Sequence, residues 1–212
     1  MMYGVISAGK EARVYWAKDR RGRDVAVKIY LTSTAEFRKT IKIYIEGDPR
    51  FERIRGGTRQ LIYAGARKEF RNLKRMFKAG VRVPEPYFCY KNILVMEFIG
   101  EEGRRAHLLK EVDLDLEDYE RIFNTVVEYM RRMYQGAGLV HADLSEYNIM
   151  IYGDEVVIID VGQAVSLDHP MAEYFLWRDI RNVLRYFSEV GVDVPEEEEL
   201  YRRLTREERG DT

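Results

Sequence analysis

The feature that most constrains the fold is a pair of acidic motifs separated by a short apolar segment. The first motif has the spacing H-x-D-x-x-x-x-N and consists of His141, Asp143 and Asn148. The second begins at Asp160, which opens an Asp-x-Gly sequence directly after the apolar run 156–159. A β-rich run of this length predicts a buried strand. If both motifs belong to one site, the fold must bring the end of this strand beside the first motif.

The residue types in these motifs suit phosphoryl transfer. A carboxylate such as Asp143 can accept the proton of an incoming hydroxyl, and the carboxamide of Asn148 can bind magnesium. A second carboxylate, Asp160, can bind the magnesium that bridges the phosphates of a nucleotide. Each motif alone is also compatible with a structural role, since His-x-Asp is common and a carboxylate after a strand is often a turn former. Their combination favours the metal–phosphate site.

A lysine and a glutamate complete the expected set. In Val-Ala-Val-Lys28-Ile, strand alternation places Lys28 on the face opposite Val27, where a solvent-facing lysine is the ordinary expectation. A lysine that binds phosphate needs a helical glutamate as partner, and Glu69 borders the apolar stripe of a helix predicted from Ala66 onward. A helix-surface charge is the alternative interpretation of Glu69. Glutamates 46 and 52, in an irregular segment, fit less well.

Two further segments are candidates for nucleotide contacts. A turn with Ser7, Gly9 and Lys10 precedes the Lys28 strand and could offer a hydroxyl, a bare amide and a charge to a triphosphate. The segment 96–100 is predicted as a hinge that presents backbone groups to adenine. Apolar side chains of the kind of Val27 and Ile159 would lie on either side of the base.

Composition excludes several classes of protein. The 212 residues are 46% hydrophobic, which is enough for a packed core. The formal net charge of −1 argues against binding of nucleic acid or membrane through the charge of the whole protein. Cys89 is the single cysteine, so no internal disulfide can form and a reducing, cytoplasmic location is expected. No apolar run approaches a membrane span, and the start shows no secretory signal. No membrane partner is therefore expected.

Taken in order, these segments resemble the RIO atypical serine/threonine protein kinases, most closely their type-one branch. The similarity extends from about residue 3 to 190. Its carriers are Ser7-Ala-Gly9-Lys10-Glu, Ala-Val-Lys28-Ile-Tyr, Arg-Lys-Glu69-Phe-Arg-Asn-Leu, Met-Glu97-Phe-Ile99-Gly, Leu-Val-His-Ala-Asp143-Leu-Ser-Glu-Tyr-Asn148, Asp160-Val-Gly-Gln163-Ala-Val and Arg178-Asp179-Ile-Arg-Asn.

The resemblance implies an α+β, bilobal protein-kinase-like fold with a β-rich N-lobe containing one helix and a reduced helical C-lobe. The N-lobe would span residues 1–100, with a flexible insert at about 31–64 and the hinge at about 96–100. The C-lobe would span 101–212, with a catalytic loop at 141–148 and a metal-binding loop at 160–163. No substrate-docking subdomain is expected, because no Ala-Pro-Glu segment follows Asp160.

The resemblance also implies cofactors and roles. ATP and Mg²⁺ are expected, with Mn²⁺ as a possible substitute. Lys28 would contact phosphate, Asp143 would be the catalytic base, and Asn148 and Asp160 would hold the metal. Asp160 could in addition accept phosphate transiently. The cofactor-binding set would be Ser7, Gly9, Lys10, Lys28, Glu69, Glu97 and Ile99, the last two through their backbone groups.

The family further implies autophosphorylation and a role in maturation of the small ribosomal subunit, with pre-ribosomal particles as partners. Candidate acceptors are residues 33, 34, 40 and 58, and arginines 53, 55 and 59 are candidates for local rRNA contact. Ala8 stands where the type-one pattern has Thr, and the N-terminal helices of that pattern do not precede the first strand. Two alternatives stay open, a nucleotide-gated ribosome-assembly ATPase and a small-molecule kinase of the aminoglycoside or choline type.

Overall fold

The computed structural model describes residues 2–9, 11–31, 44 and 57–206. Its first part contains a five-stranded antiparallel sheet with the strand order β1-β2-β3-β5-β4. The strands are β1 (Met2–Ala8), β2 (Ala12–Lys18), β3 (Asp24–Tyr30), β4 (Pro86–Tyr90) and β5 (Ile93–Glu97). The β-branched and aromatic residues of these strands favour a pleated, half-buried sheet.

The register of this sheet decides which way Lys28 points. Lys28 lies between Val14 of β2 and Leu94 of β5, so the three side chains share a face. Leu94 is fully buried, and Lys28 therefore points into the molecule rather than toward solvent. Val27, one residue earlier, lies on the opposite face.

One long helix, α1 (Thr58–Lys78), packs against the sheet. It begins eight residues before Ala66, so residues 58–64, which we assigned to the flexible insert, are helical. The usual start signals are missing, because Gly57 provides no side-chain cap and the first turn has no acidic residue. Most of the predicted insert, residues 32–43 and 45–56, lies outside the described residues.

The remaining elements form a mainly helical second part. Its helices are α2 (Leu116–Arg131), which continues into a π-helical turn at Arg132–Gly136, α3 (Ala172–Glu189) and α4 (Glu197–Thr205). Short strands build small sheets around them: β6 (Gly100–Glu101), β7 (Arg104–Arg105), β8 (His107–Leu108), β9 (Leu139–Val140), β10 (Ile149–Tyr152), β11 (Glu155–Ile158) and β12 (Val165–Ser166). The hinge segment connects β5 to β6.

The hydrophobic core runs through both parts. Leu73 and Met76 of α1 belong to the same buried cluster as Ile122 of α2 and Ile180 of α3. Because α1 packs on both the sheet and the helical part, it holds the two sides of the cleft together. Within the described part of the chain, no helix combines the length and apolar character needed to span a membrane.

Candidate active site

A cavity of about 510 Å³ lies between the five-stranded sheet and the helical part. Most of the residues singled out from the sequence line it: Ser7, Gly9, Lys28, Glu69, Glu97, Ile99, Asn148 and Asp160. Lys10 lies outside the described residues. Asp143 is not among the lining residues but lies next to one of them, because Asn148 Nδ2 donates a hydrogen bond to the Asp143 carbonyl oxygen at 2.6 Å.

Lys28 joins two carboxylates that come from distant parts of the chain. Its ammonium lies 2.9 Å and 2.8 Å from the two carboxylate oxygens of Glu69, and 3.0 Å from Asp160 Oδ1. The Lys28 side chain is 13% exposed, that of Glu69 is 2% exposed and that of Asp160 is 56% exposed. Tyr30 also donates its hydroxyl to Glu69. The sheet, α1 and the loop after β11 therefore meet at one ammonium group.

The charges of Lys28, Glu69 and Asp160 shift the pKa values within this cluster. Burial opposes the charge of Lys28, but the carboxylates of Asp160 and Glu69 outweigh it and raise the pKa of the ammonium well above its usual value. The nearby positive charge of Lys28 lowers the pKa of Asp160. Lys28 is therefore a cation and Asp160 an anion at neutral pH.

The loop that carries Asp143 is held by hydrogen bonds to Asp179 of α3. The Asp179 carboxylate is buried and accepts hydrogen bonds from the backbone N–H groups of Ala142 at 2.8 Å and Leu144 at 2.9 Å. Ala142 adopts a left-handed conformation with φ 68°, which only a well-held loop retains. Arg178 donates to the Ala142 carbonyl oxygen. The peptide units on both sides of Asp143 are thus held in place.

Burial changes the proton affinity of the catalytic-loop side chains. It raises the pKa of Asp143, which favours proton uptake by that carboxylate compared with an exposed aspartate. Burial lowers the pKa of His141, whose ring nitrogen Nε2 lies 3.1 Å from the carbonyl oxygen of Ile159. A neutral His141 that donates from Nε2 to this carbonyl would tie the loop to the residue before Asp160.

The donor set fits a magnesium ion that is shared with a nucleotide. Asn148 uses its amide nitrogen on the Asp143 carbonyl, which leaves its oxygen for another partner. Asp160 lines the same cavity and offers carboxylate oxygens to it. No cluster of three or more His, Cys, Asp or Glu side chains that could bind a metal occurs in the described ranges. One carboxylate and one carboxamide nevertheless match Mg²⁺ when phosphates and water complete the coordination shell.

The hinge offers backbone groups rather than side chains. The Glu97 carboxylate is occupied by Arg82, which donates to both of its oxygens at 2.7 and 2.8 Å. Ile159 lines the cavity as predicted, whereas Val27 does not, because its neighbour Ala26 faces that side of β3. The apolar wall that we expected from Val27 is therefore formed by Ala26.

Sequence reasoning missed the positioning residues around the site. Asp179 gives a detectable signal, since it lies within the apolar stripe of α3, three residues after Leu176 and four before Val183, where a charge is unusual. Lys68 and Asn72 of α1 give a weaker one. Both are fully buried polar side chains on the face of α1 that points to the loop after Asp160.

A sheet lysine paired with a helical glutamate, an H-x-D loop and a following aspartate around one cleft define the protein-kinase-like class. A model of the RIO domain family matches residues 13–200, and the chain belongs to this family. It is 48% identical over 205 residues to the RIO-type serine/threonine-protein kinase Rio1 of Haloferax volcanii, covering 97% of this chain and 69% of that protein. It is 44% identical to the human serine/threonine-protein kinase RIO1, covering 95% of this chain but 36% of the human protein.

The structural comparison agrees with the sequence comparisons. The fold is similar to the Rio2 kinase of Chaetomium thermophilum in its ADP/Mg²⁺-phosphoaspartate complex, with a TM-score of 0.69 and 26% identity. The match covers 95% of this chain and 61% of the Rio2 chain. The predicted family, its type-one branch and the α+β bilobal fold class are confirmed.

Proposed function

We propose that the chain is a Mg²⁺-dependent, RIO-type serine/threonine protein kinase that transfers the γ-phosphate of ATP to a protein hydroxyl. The observation that carries this proposal is the contact of Lys28 with both Glu69 and Asp160 at 2.8–3.0 Å inside one nucleotide-sized cavity. Family membership supports it, since the matched archaeal and human relatives are serine/threonine kinases.

Each cleft residue has a proposed task. Lys28, held by Glu69, binds the non-transferred phosphates, and Ser7 near the end of β1 and Gly9 just after β1 cover them. Glu97 and Ile99 bind adenine through backbone groups, and Asn148 and Asp160 hold the metal. Bound Mg²⁺ would supply neutralisation of the charge on the phosphate oxygens.

The chemical step assigns the proton to Asp143. The acceptor hydroxyl oxygen attacks the γ-phosphorus, its proton passes to the Asp143 carboxylate, and the bond from the γ-phosphorus to the β,γ-bridging oxygen breaks, so that ADP leaves. The raised pKa of Asp143 suits this role, because a more basic carboxylate accepts the proton more readily. As a further part of the proposal, a two-step route is open in which an Asp160 carboxylate oxygen attacks the γ-phosphorus first and ADP leaves. The acceptor hydroxyl, losing its proton to Asp143, then attacks the phosphorus of the aspartyl phosphate and releases the Asp160 carboxylate; the lowered pKa of Asp160 keeps it ionised for the first attack.

Incubation of the purified protein with labelled ATP and Mg²⁺ tests the kinase assignment. We expect Asp143→Asn to lower protein labelling by about 10²–10⁴-fold, the usual contribution of a general base. Asp168→Asn, an exposed aspartate outside the cavity, is the matched control and should label like the wild type. Equal labelling of wild type and Asp143→Asn would remove Asp143 from its role. Hydroxylamine-sensitive label that disappears in Asp160→Asn would support the phospho-aspartate.

A second candidate function is a nucleotide-gated ribosome-assembly ATPase in which protein phosphorylation is incidental. The observation that favours it is the short connection after the metal-binding loop, since β12 ends at Ser166 and α3 already begins at Ala172. This leaves little chain for docking a peptide. Phosphate release without protein label, stimulated by small-subunit particles, would favour this function over the kinase.

The biological setting is part of the proposal. We propose a cytoplasmic protein that acts on pre-ribosomal small-subunit particles and phosphorylates itself. Of the acceptor candidates, Thr58 begins α1, while residues 33, 34 and 40 lie outside the described residues. Of the candidate rRNA contacts, Arg59 is exposed on α1, and residues 53 and 55 lie outside the described residues.

A further inference from the structure

The loop after Asp160 is tied to α1 by a buried lysine. Lys68 is fully buried, and its ammonium donates to the carbonyl oxygens of Gly162 at 2.8 Å and Ala164 at 2.6 Å. The ammonium also lies 5.9 Å from the centre of the Tyr44 ring. A buried cation is unfavourable unless it is paired or hydrogen-bonded, and here backbone carbonyls of the loop serve as its partners.

A second side chain of α1 makes a parallel set of contacts. Asn72 is fully buried, and its amide nitrogen donates to the carbonyl oxygens of Val161 at 2.9 Å and Ala164 at 3.0 Å. Lys68 and Asn72 are four residues apart, so they project from the same face of the helix. Together they bind three carbonyl groups of the loop 161–164.

The loop needs to be held because Asp160 itself has an unfavourable backbone conformation. Its φ of 56° and ψ of 55° lie in the left-handed region, which a residue with a Cβ occupies only when the surroundings determine it. The described contacts on the C-terminal side of Asp160 come mainly from α1. Loss of Lys68 would remove the described side-chain donor of the Gly162 carbonyl, and loss of Asn72 would leave the Val161 and Ala164 carbonyls with one described donor each. Either change would allow the loop to relax.

We propose that Lys68 and Asn72 are positioning residues for Asp160, which clamp the loop 161–164 to α1 and so fix the metal-binding carboxylate beside Lys28. This inference rests on the proposed function, in which Asp160 is a magnesium ligand. The same helix carries Glu69, so one rigid element sets both the partner of Lys28 and the position of Asp160. Outer-shell residues of this kind orient a ligand without touching the metal.

A purely structural clamp would behave differently in one measurable respect. If Lys68 and Asn72 only joined α1 to the helical part, their loss would lower the melting temperature and leave the affinity for Mg²⁺ unchanged. If they position Asp160, the affinity for Mg²⁺ must fall at equal occupancy by nucleotide. A Mg²⁺ titration therefore separates the two roles.

The experiment measures the melting temperature at saturating ADP while Mg²⁺ is titrated, with ADP in EDTA as the metal-free reference. Lys68→Met and Asn72→Leu should need about 10-fold more Mg²⁺ for the half-maximal shift, as is usual when an outer-shell partner is lost. Their shift by ADP in EDTA should equal that of the wild type. Lys74→Met, an exposed lysine of the same helix, and Met76→Ala, a buried apolar truncation, are controls expected to titrate like the wild type.

Each outcome has a defined meaning. If Lys68→Met and Asn72→Leu titrate like Lys74→Met, the clamp does not position Asp160 and the inference is overturned while the proposed function stands. If Lys68→Met does not fold, Asn72→Leu decides the question. If wild-type protein shows no Mg²⁺-dependent shift with ADP, the proposed function itself fails and the inference falls with it.

Discussion

At the scale of single residues, the site depends on charges that are buried in a matched group. Lys28 and Glu69 are almost fully removed from water, with 13% and 2% of their side chains exposed. Taking such charges out of water costs several kcal/mol per ion, and only good geometry and additional hydrogen bonds offset it. Removal of one partner is therefore more harmful than removal of both.

A double-mutant cycle on Lys28 and Glu69 tests this argument. Each single change, Lys28→Met or Glu69→Leu, should lower the free energy of unfolding by about 3 kcal/mol, because it leaves the other charge buried with fewer partners. The double variant should lose clearly less than the sum of the two. Chemical denaturation of the four proteins measures the coupling, and strictly additive losses would contradict it.

Asp179 makes a prediction about pH. Burial raises the pKa of Asp179 from the usual 3.8 to about 7, although two backbone N–H groups donate hydrogen bonds to its carboxylate and favour the charged form. Between about pH 4 and pH 7, Asp179 is therefore protonated in the folded protein and ionised in the unfolded chain. The contribution of Asp179 to the free energy of unfolding is therefore present in full below about pH 4 and declines as the pH rises to about 7.

Comparison with Asp179→Asn isolates this contribution, because asparagine does not titrate. The difference in free energy of unfolding between wild type and variant should shift by about 2 kcal/mol, against the wild type, from about pH 5 to about pH 8. Chemical denaturation at both pH values measures it. A difference that is the same at both pH values would show that Asp179 has an ordinary pKa in the folded protein.

At the scale of elements, α1 is the helix that contacts both the sheet and the loops of the site. It supplies Glu69 to Lys28, and its Arg75 donates to the Gly138 carbonyl oxygen at 3.4 Å near the start of the catalytic-loop region. Contact with the metal-binding loop is close: a Cβ added to Gly162 would lie 3.1 Å from Glu69 Oε2. Helix and loop can thus approach this closely only because residue 162 has no side chain.

Gly162→Ala should therefore separate the loop from α1 by a small distance. Glu69 is held by Lys28 at 2.8 Å and cannot move aside without lengthening that contact. We expect a loss of about 1 kcal/mol in the free energy of unfolding, as for mild overpacking. The increase in melting temperature that Mg²⁺ causes at saturating ADP should also be smaller than in the wild type. Gly4→Ala is the matched control, since no atom lies within 4 Å of its added Cβ. Equal behaviour of the two variants would contradict the close packing.

At the scale of the whole molecule, the sequence was most informative where chemistry requires a fixed residue type at a fixed spacing. The spacing of Asp143 and Asn148, together with the strand that leads into Asp160, predicted that distant side chains share one site. The structure places four of them around one cavity: Lys28, Glu69, Asn148 and Asp160. The roles of these residues stay predictions. The family and fold class, which rest on the whole series of motifs, are confirmed.

Contacts between distant segments could not be predicted in the same way. The hydrogen bond from Lys68 to Gly162 joins residues 94 positions apart, and a lysine in a helix is ordinarily a surface residue. The start of α1 at Thr58 was missed because its cap residue, Gly57, gives no distinctive signal. Tertiary packing, rather than local preference, decides both features.

The two sides of the cleft are also joined at the hinge. Arg82, between α1 and β4, binds Glu97 at the end of β5 and donates to Glu155 of β11 at 2.9 Å. Its carbonyl oxygen accepts a hydrogen bond from the Ile158 N–H at 2.8 Å. One residue thus links the hinge to the hairpin that leads into Asp160, although Arg82 itself does not line the cavity.

Arg82→Gln should therefore weaken ATP binding more than the chemical step. Glutamine cannot reach both carboxylates, so the Glu97 backbone loses its support, whereas the Asp143 loop keeps its own contacts with Asp179. We expect a several-fold higher KM for ATP with a smaller change in kcat, and a loss of about 1 kcal/mol in the free energy of unfolding, since the pairs are partly exposed. Arg131→Gln is the control, because its described side-chain bonds, to Glu128 at 2.9 Å and to Gln135 at 3.0 Å, stay within α2 and the π-helical turn that continues it. A KM that changes equally in the two variants would show that the Arg82 link does not shape the hinge.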